Sequence, residues 1–387
     1  MSSLRIHFLT QGVQEQGTYF RFHNLAVGLT NLGQDVTVFG CDWNPASKER
    51  EEIRDGVQYH IVPVFQGTSL FGSACHPLTA IRRCFVDYPP CDVAHLFQPF
   101  PSAALPWYWN LPKKTKLLFY DWDDLWIGGL VKSQPKLFRE YWLRFVVNYL
   151  EQQLPQRALH VTTCSHFLAK KASKRNASQV SVIHNGLWPF VIPDQQAARE
   201  SLGLDSQALY VGFMGRTCAE LSWCFEALEN NLHRHSSLRL ALCGPPDNCL
   251  DSVPKNVLKR MDFLGTLPPL KTRNFAAALD LGLLPLEDNS FNQSRFPIKY
   301  AEYMAASTPV LCSDIGECAN LSDGMPWVIK AGKTKKQWLD AFENAIHLML
   351  IGQLSTVDIN TVVENFSWNL ISKKLLEIYW ATITNIK

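Results

Sequence analysis

The sequence predicts an α/β fold made of two Rossmann-like domains, and three observations carry that expectation. Short β-type runs alternate with segments of helical period along the whole chain, the pattern of parallel sheets with helices on both faces. A polar, Gln/Ala-rich passage from Gln195 to Gln207 interrupts the alternation, and the strand-loop-helix series begins afresh at ALYVGFMGR. The length of 387 residues, 47% of them hydrophobic, suffices for two cores of ordinary size, roughly 150 residues each.

In the first half the expected strands are LRIHFLT, DVTVFG, VQYHIVPV, DVAHLF, KLLFYD, LHVTTCS and QVSVIHN, short apolar or alternating runs. A helix from Tyr19 to Leu32 follows the first of them, and a long one from Lys136 to Gln153 stops before Pro155. After the restart the strands are ALYVGFMG, LRLALCG, the short MDFLG, LGLLPL and PVLCSD. The last helix, Trp368 to Thr384, is amphipathic, with Leu370, Leu375, Leu376 and Tyr379 as its buried stripe. The expected boundaries are 1–195 for the first domain, 208–366 for the second and 367–387 for the terminal helix.

Charge and cysteine content narrow the function classes. With 37 basic and 35 acidic residues the formal net charge is +2, which argues against a nucleic-acid partner held by bulk charge. The 11 cysteines include no C-x-x-C pair, so no zinc or thioredoxin-type signature is present. The equally spaced pairs Cys218/Cys224, Cys243/Cys249 and Cys312/Cys318 follow strand-like runs and read as buried thiols of a reducing compartment. The apolar run in SSLRIHFLTQG is too short for a signal peptide, and no later run approaches the ~20 apolar residues of a membrane span. A cytoplasmic protein is expected, peripheral at the inner membrane face at most.

In an open parallel sheet, ligands bind at the carboxyl ends of strands, where helix N-termini aim N–H groups and a positive dipole end at anions. The stretch RFPIKYAEYMAASTPVLCSD, Arg295 to Asp314, occupies such a place. Strand LGLLPL ends, the loop EDNSFNQSR follows, and Pro297 suits the first turn of a new helix because its missing N–H would be unpaired there anyway. Arg295 and Lys299 add cations to that helix end, which suits a diphosphate. Glu302, one turn on, suits two vicinal hydroxyls, as on a ribose. The plainer reading of Lys299 and Glu302 is a surface i, i+3 ion pair worth at most about 0.5 kcal/mol. Gly215-Arg216, ending ALYVGFMGR, is a second phosphate candidate: glycine permits close backbone approach and arginine makes bidentate phosphate contacts.

These blocks resemble the retaining glycosyltransferases of the GT-B fold, family 4 and its relatives (glycosyl transferases group 1). The resemblance runs in order through RFHNLAVGLTNLGQDVTVF, VTTCSHFLA, VIHNGLWPF, VGFMGR, LALCGPP, DFLGTLPPLKTRNFAAALDLGLLPL, FPIKYAEYMAASTPVLCSD and FSWNLISKKLLEIYW. It implies two Rossmann-like domains facing across a cleft, with the C-terminal helix crossing back to the N-terminal domain. It also implies a nucleotide diphosphate sugar donor in the second domain, with Glu302 on the ribose and Arg216 on the diphosphate. Neither a cofactor nor a metal is implied. Family members usually carry a lysine five residues after the arginine and an acidic residue eight before the ribose glutamate; here those positions are Leu221 and Ser294. Lys299 or Arg295 is expected to replace the cation, and Glu287 or Asp288 the carboxylate, with Ser294 kept among the donor-binding positions.

The first loop, TQGVQEQGTYFRF, places Gly12 and Gly17 where the resemblance implies contact with the donor phosphates or the acceptor. Its G-x-x-x-x-G lacks the Lys-Ser/Thr of a P-loop and the spacing of a dinucleotide fingerprint. Arg21 reads as a helix-surface arginine or one that reaches the cleft. In KLLFYDWDDLW, Asp121-Trp122-Asp123 matches the D-x-D by which the other main glycosyltransferase fold holds a divalent cation, but a complete donor domain downstream makes such a site superfluous. Asp123 stands where the family often carries a histidine near the reacting sugar. It is expected to stabilise developing positive charge or to orient the acceptor hydroxyl. The plainer alternative is that Asp121 or Asp123 caps the next helix. His95 reads as a satisfied histidine at a strand end.

Phe97, Phe100, Trp107, Tyr108, Trp109, Trp122 and Trp126 crowd one part of the first domain, as core or as sugar-stacking and membrane-interface groups. With Lys113, Lys114, Lys116, Lys132, Lys136, Arg139 and Arg144 nearby, they point to peripheral contact with an anionic membrane. The function implied is transfer of a sugar from a nucleotide diphosphate sugar to an acceptor hydroxyl on a glycan, glycolipid or small molecule, with retention and without a metal. The leaving diphosphate itself takes the acceptor's proton, and the catalytic residues are Asp123, Arg216 and Lys299. The alternative is a nucleotide-sugar-binding subunit that has lost turnover, which Leu221 and Ser294 motivate.

Overall fold

The computed structural model describes residues 3–66, 75–115, 117–131, 136–216, 220–246, 250–251 and 253–386. The chain forms two units. The first comprises Met1–Asn185, Ser294–Phe296 and Trp368–Lys387, and the second Gly186–Gln293 and Pro297–Ser367. The break thus falls before the Gln/Ala-rich passage rather than at 195, and the segment 186–195 packs with the second unit.

The strands of the first unit are β1 (Arg5–Leu9), β2 (Asp35–Asp42), β3 (Arg50–Arg54), β4 (Val57–Pro63), β5 (Val93–Phe97), β6 (Leu117–Trp122), β7 (His160–Thr163) and β8 (Val180–Val182). They form one sheet in the order β3-β4-β2-β1-β5-β6-β7-β8, parallel except for β3 against β4. The strand order reverses beside β1, between β2 and β5, which is where open α/β sheets bind ligands. All five residues of β5 are buried, as expected of a strand covered by helices on both faces. β3, absent from the sequence expectation, reads REEIR and is a charged edge: Arg50 bonds Asp42 and Glu52, each at 2.9 Å.

The helices of this unit are α1 (Tyr19–Asn31), α2 (Pro77–Arg83), α3 (Pro101–Trp109), α4 (Phe138–Arg157), α5 (His166–Lys174) and the terminal α15 (Trp368–Ile386). α4 continues through Pro155, where the sequence predicted a stop. A proline there removes the N–H that would bond the Glu151 carbonyl, and the Arg175 guanidinium donates to that carbonyl instead. α15 docks on α1 at Gly28, whose missing side chain makes room for Ser372. That contact, with Tyr379 O–H bonded to His95 Nδ1 at 2.6 Å, sets the helix phase. Trp368, Ile371, Leu375 and Tyr379 therefore face inward, while Leu370, expected in the stripe, is 43% exposed.

His7, in β1, is fully buried, and neither ring nitrogen has a hydrogen-bond partner among the described residues. Burial, and then Arg5, lower its pKa to about 4. The folded imidazole stays neutral while the unfolded one takes up a proton below about pH 6.5, so this group's contribution to stability is lost as pH falls from there toward 4. His7→Phe is expected to raise Tm by about 3 °C at pH 5 and by less at pH 7.5, checked by thermal melts at both.

The second unit contains β9 (Leu209–Met214), β10 (Leu238–Cys243), β11 (Met261–Phe263), β12 (Leu281–Leu284), β13 (Val310–Cys312) and β14 (Val328–Lys330). They form an all-parallel sheet in the order β11-β10-β9-β12-β13-β14, so the order reverses beside β9. Its helices are α6 (Gln195–Leu202), α7 (Leu221–Asn231), α8 (Lys255–Leu258), α9 (Pro269–Ala278), α10 (Ser290–Ser294), α11 (Ile298–Ala305), α12 (Gly316–Leu321), α13 (Lys335–Leu350) and α14 (Ile359–Phe366). The short α10 lies in what the sequence offered as an open loop. The described cysteines are buried or half-buried; Cys218 and Cys249 lie outside the described residues. Among the described residues no helix is long and apolar enough to cross a membrane.

Candidate functional site

In the second unit the site is built at the carboxyl end of β9. Gly215 follows the strand with φ +123°, a conformation that excludes side chains, and a Cβ there would overlap Lys299 Cε. The lysine thus lies directly against the backbone of the strand end, with Nζ 5.9 Å from the centre of the Phe213 ring. Gly244, ending β10, has φ +142°, and a Cβ on it would strike the Gly215 carbonyl. Side-chain-free backbone therefore lines two adjacent strand ends. Arg216 is exposed beside them.

α11 is held firmly under this place. Tyr303 OH accepts the Met214 N–H at 2.9 Å, and its ring lies where a side chain on Gly282 would be. Tyr300 OH and Ser322 Oγ are 2.9 Å apart. The helix begins after Pro297 with no side-chain cap, and the Tyr300 N–H donates to the Pro297 carbonyl at 2.9 Å. Glu302 follows Lys299 by one turn. Burial raises its pKa, against the pull of Lys299 and then Arg273. Arg273, on α9, was not singled out in the sequence; it lies 4.5 Å over the Phe190 ring, and that tertiary placement leaves no local signal.

The raised pKa of Glu302 gives a signed expectation. The folded chain keeps this proton over a pH range in which the unfolded chain has released it, so the group's contribution falls as pH rises above the ordinary glutamate range. Glu302→Gln is expected to raise the Tm of the ligand-free protein by about 1–3 °C at pH 8 and to leave it unchanged near pH 4. The same variant is expected to weaken nucleotide binding at least tenfold, through about 1.5 kcal/mol or more of lost charge-assisted hydrogen bonding, measured by calorimetry.

The first unit holds a buried polar chain at the ends of β5, β6 and β7. Arg21 Nε and Nη2 fork onto the two Asp121 oxygens at 2.7 and 2.8 Å, and Nη1 donates to Asn185 Oδ1 at 2.8 Å. The Thr162 hydroxyl donates to Asp121 at 2.5 Å, so its oxygen accepts from His95 Nε2–H at 3.1 Å, and His95 Nδ1 accepts from Tyr379. Burial lowers the His95 pKa to about 3, consistent with this neutral tautomer. Arg21 is thus a buried structural cation and not a helix-surface residue. Asp121 caps nothing and holds Arg21, and His95 is satisfied on both nitrogens.

Asp123 stands next to this chain and differs from it. Its Oδ2 accepts the Thr18 hydroxyl, while Oδ1 has no partner among the described residues. Burial, then Asp124 and Asp121, push its pKa well above the carboxylate range. A neutral carboxyl suits orientation of a hydroxyl better than stabilisation of positive charge. Glu151 pins the loop that follows, accepting from Trp122 Nε1, Trp126 N–H and Ile127 N–H at 3.2, 3.0 and 3.3 Å. Gln98, after β5 at the strand-order reversal, is buried with φ +73°, a conformation that local sequence does not announce in glutamine.

Comparison with known proteins adds the lineage. The profile for glycosyl transferases group 1 matches residues 206–348, and that for glycosyltransferase family 4 matches residues 17–187. The chain belongs to the family 4 glycosyltransferases, with the GT-B fold. A glycosyltransferase assigned to teichuronic acid biosynthesis in Bacillus subtilis (strain 168) is 23% identical over 231 residues, covering 58% of this chain and 56% of that one. The chain thus matches little more than half the length of this curated relative. Sucrose-phosphate synthase from Thermosynechococcus elongatus superposes with a TM-score of 0.74 at 15% identity, over 99% of this chain and 100% of the other. Anabaena HepE in complex with UDP and glucose gives a TM-score of 0.67 at 16% identity, over 98% and 100%.

Within this family member the sequence-named positions divide. Gly215, Lys299 and Glu302 come together in the second unit, with Arg216 beside them. Ser294 and Arg295 group with the first unit instead. Ser294 is fully buried, and its carbonyl accepts from Ser165 Oγ at 2.5 Å. Arg295 stands by Asp124, whose pKa burial raises to about 6 and Arg295 draws back. Leu221, at the family's lysine position, is fully buried in the core of the second unit. Glu287 and Asp288 are exposed, and Gln293 Nε2 donates to Asp288 at 2.5 Å. Gly12 is buried beneath the Trp43 indole, whereas Gly17 is exposed with φ +57°. Of the aromatics, Phe97, Phe100, Trp107, Trp122 and Trp126 are core, and Trp109 is exposed. Lys116 and Lys132 lie outside the described residues.

Proposed function

We propose that the chain transfers a glycosyl group from a nucleotide diphosphate sugar to an acceptor hydroxyl on a glycan, a glycolipid or a small molecule, with retention of anomeric configuration. One observation carries the reading: the Lys299 side chain lies against Gly215 at a strand end where the sheet order reverses, one helical turn from a half-buried Glu302. Lys299, Arg216 and the start of α11 meet the diphosphate, and Glu302 takes the ribose hydroxyls. As the sugar-phosphate bond breaks, the departing phosphate oxygen gains charge, which these cations stabilise, and it accepts the proton of the attacking hydroxyl on the same face. Asp123 orients that hydroxyl. Glu287 or Asp288 addresses the sugar, since Ser294 is buried.

Positive charge comes here from side chains and backbone rather than a metal, because Asp121 of the D-x-D commits both oxygens to Arg21 and Thr162. The chain acts in the cytoplasm and touches a membrane peripherally. UDP is the first base to try, because the Anabaena relative is described with UDP and glucose. The test is a thermal-shift panel of UDP, GDP, ADP and dTDP sugars. One base is expected to stabilise the chain by about 2.7 kcal/mol at a hundred times its Kd. No shift with any of them would overturn the reading, and an inverted product by NMR would overturn retention.

A further inference from the structure

A solvent-facing helix ordinarily carries polar residues outward and apolar ones inward. α4 departs from this along its outer face. Leu137, Phe138, Tyr141, Phe145 and Tyr149 are all more than half exposed, up to 68% at Phe145. From Phe138 the spacing of three, four and four residues keeps them on one side, and Val147, Leu150 and Leu154 lie buried on the other. The five therefore form a continuous apolar stripe about three turns long.

Cations flank the stripe. Lys136, Arg139 and Arg157 are exposed, and Arg144 is half-buried. The carboxylates of α4 are Glu140, which accepts the Lys136 N–H at 2.8 Å, and Glu151, which is buried on the inner side. α3 packs beside α4, with Arg157 5.1 Å over the Tyr108 ring. The next residue, Trp109, is 66% exposed, and Lys113 and Lys114 follow it at the surface.

We propose that this face of α4, extended by Trp109, docks the chain onto an anionic lipid surface, which gives the peripheral contact named above a definite place. Phenylalanine and leucine bury in the acyl boundary, tyrosine and tryptophan keep a polar tip at the headgroups, and the flanking cations meet lipid phosphates. A second copy of the chain fits less well, since it would set one positively flanked stripe against another.

The test is co-sedimentation of the full chain with phosphatidylcholine vesicles, with and without about one third phosphatidylglycerol. Binding is expected only to the anionic vesicles and is expected to weaken with salt. Phe145→Ser with Tyr149→Ser is expected to lower partitioning about tenfold while leaving the thermal melt unchanged, because both side chains are more than half exposed. The proposal is overturned if the native chain ignores anionic vesicles, if the double variant binds them as well, or if the chain is a dimer that the double variant dissociates. The nucleotide thermal shift is read on the same samples: its loss alone would count against the transferase reading, and loss of vesicle binding alone against docking.

Discussion

Lys299→Ala is expected to lower kcat/KM for glycosyl transfer by about 10²–10³-fold, the loss of one preorganised contact to charge that develops in the transition state. The position is narrowly determined. Tyr303 anchors α11 to the Met214 N–H, and the absence of a side chain at Gly215 lets the lysine chain lie on the strand end. Because the diphosphate gains charge as it leaves, most of the effect should fall on kcat rather than KM. Lys299→Arg should recover little, since the planar guanidinium is bulkier than the ammonium that packs against Gly215. Gly215→Ala is expected to mimic the defect, through its positive φ and its overlap with Lys299. Steady-state kinetics on the three variants check this, and a Lys299→Ala enzyme within fivefold of the native rate would remove the lysine from the mechanism.

Arg21→Met is expected to destabilise the first unit by about 3–5 kcal/mol, because it strands the buried Asp121 carboxylate without its forked partner. For a unit of this size that corresponds to a fall in Tm of about 10 °C. Adding Asp121→Leu should recover much of the loss, since a buried pair replaced by apolar groups costs little compared with one partner left alone. Calorimetric melts of the single and double variants decide it. If both fall equally, the packing of the arginine stem, and not its charge, is what matters.

The two substitutions mark different depths of legibility in the sequence. The placing of Lys299, Glu302 and Gly215 could be read in advance, because each belongs to a local pattern: two residues one helical turn apart, or a glycine ending an apolar strand. Arg21 could not, because its partner is 100 residues away. The same holds for Thr18 with Asp123, 105 residues apart, and His95 with Tyr379, 284 apart. Ser294 and Arg295 show the same limit. They precede the donor-site helix in sequence, yet Ser294 bonds Ser165 and Arg295 stands by Asp124.

By itself the sequence determined the α/β class, the strands of both sheets except the charged β3 and the three-residue β14, and the helix that carries Lys299 and Glu302. Those features follow from hydrophobic period and turn chemistry, which act over a few residues. The tertiary structure alone decided which carboxylates are held by partners, that Pro155 stays inside α4, that Leu370 faces out, and that Phe138, Tyr141, Phe145 and Tyr149 of α4 are exposed while Trp107, Trp122 and Trp126 are core. Each of these depends on which strands become neighbours. Sheet order is set by the burial of whole faces, so no local stretch of sequence carries it.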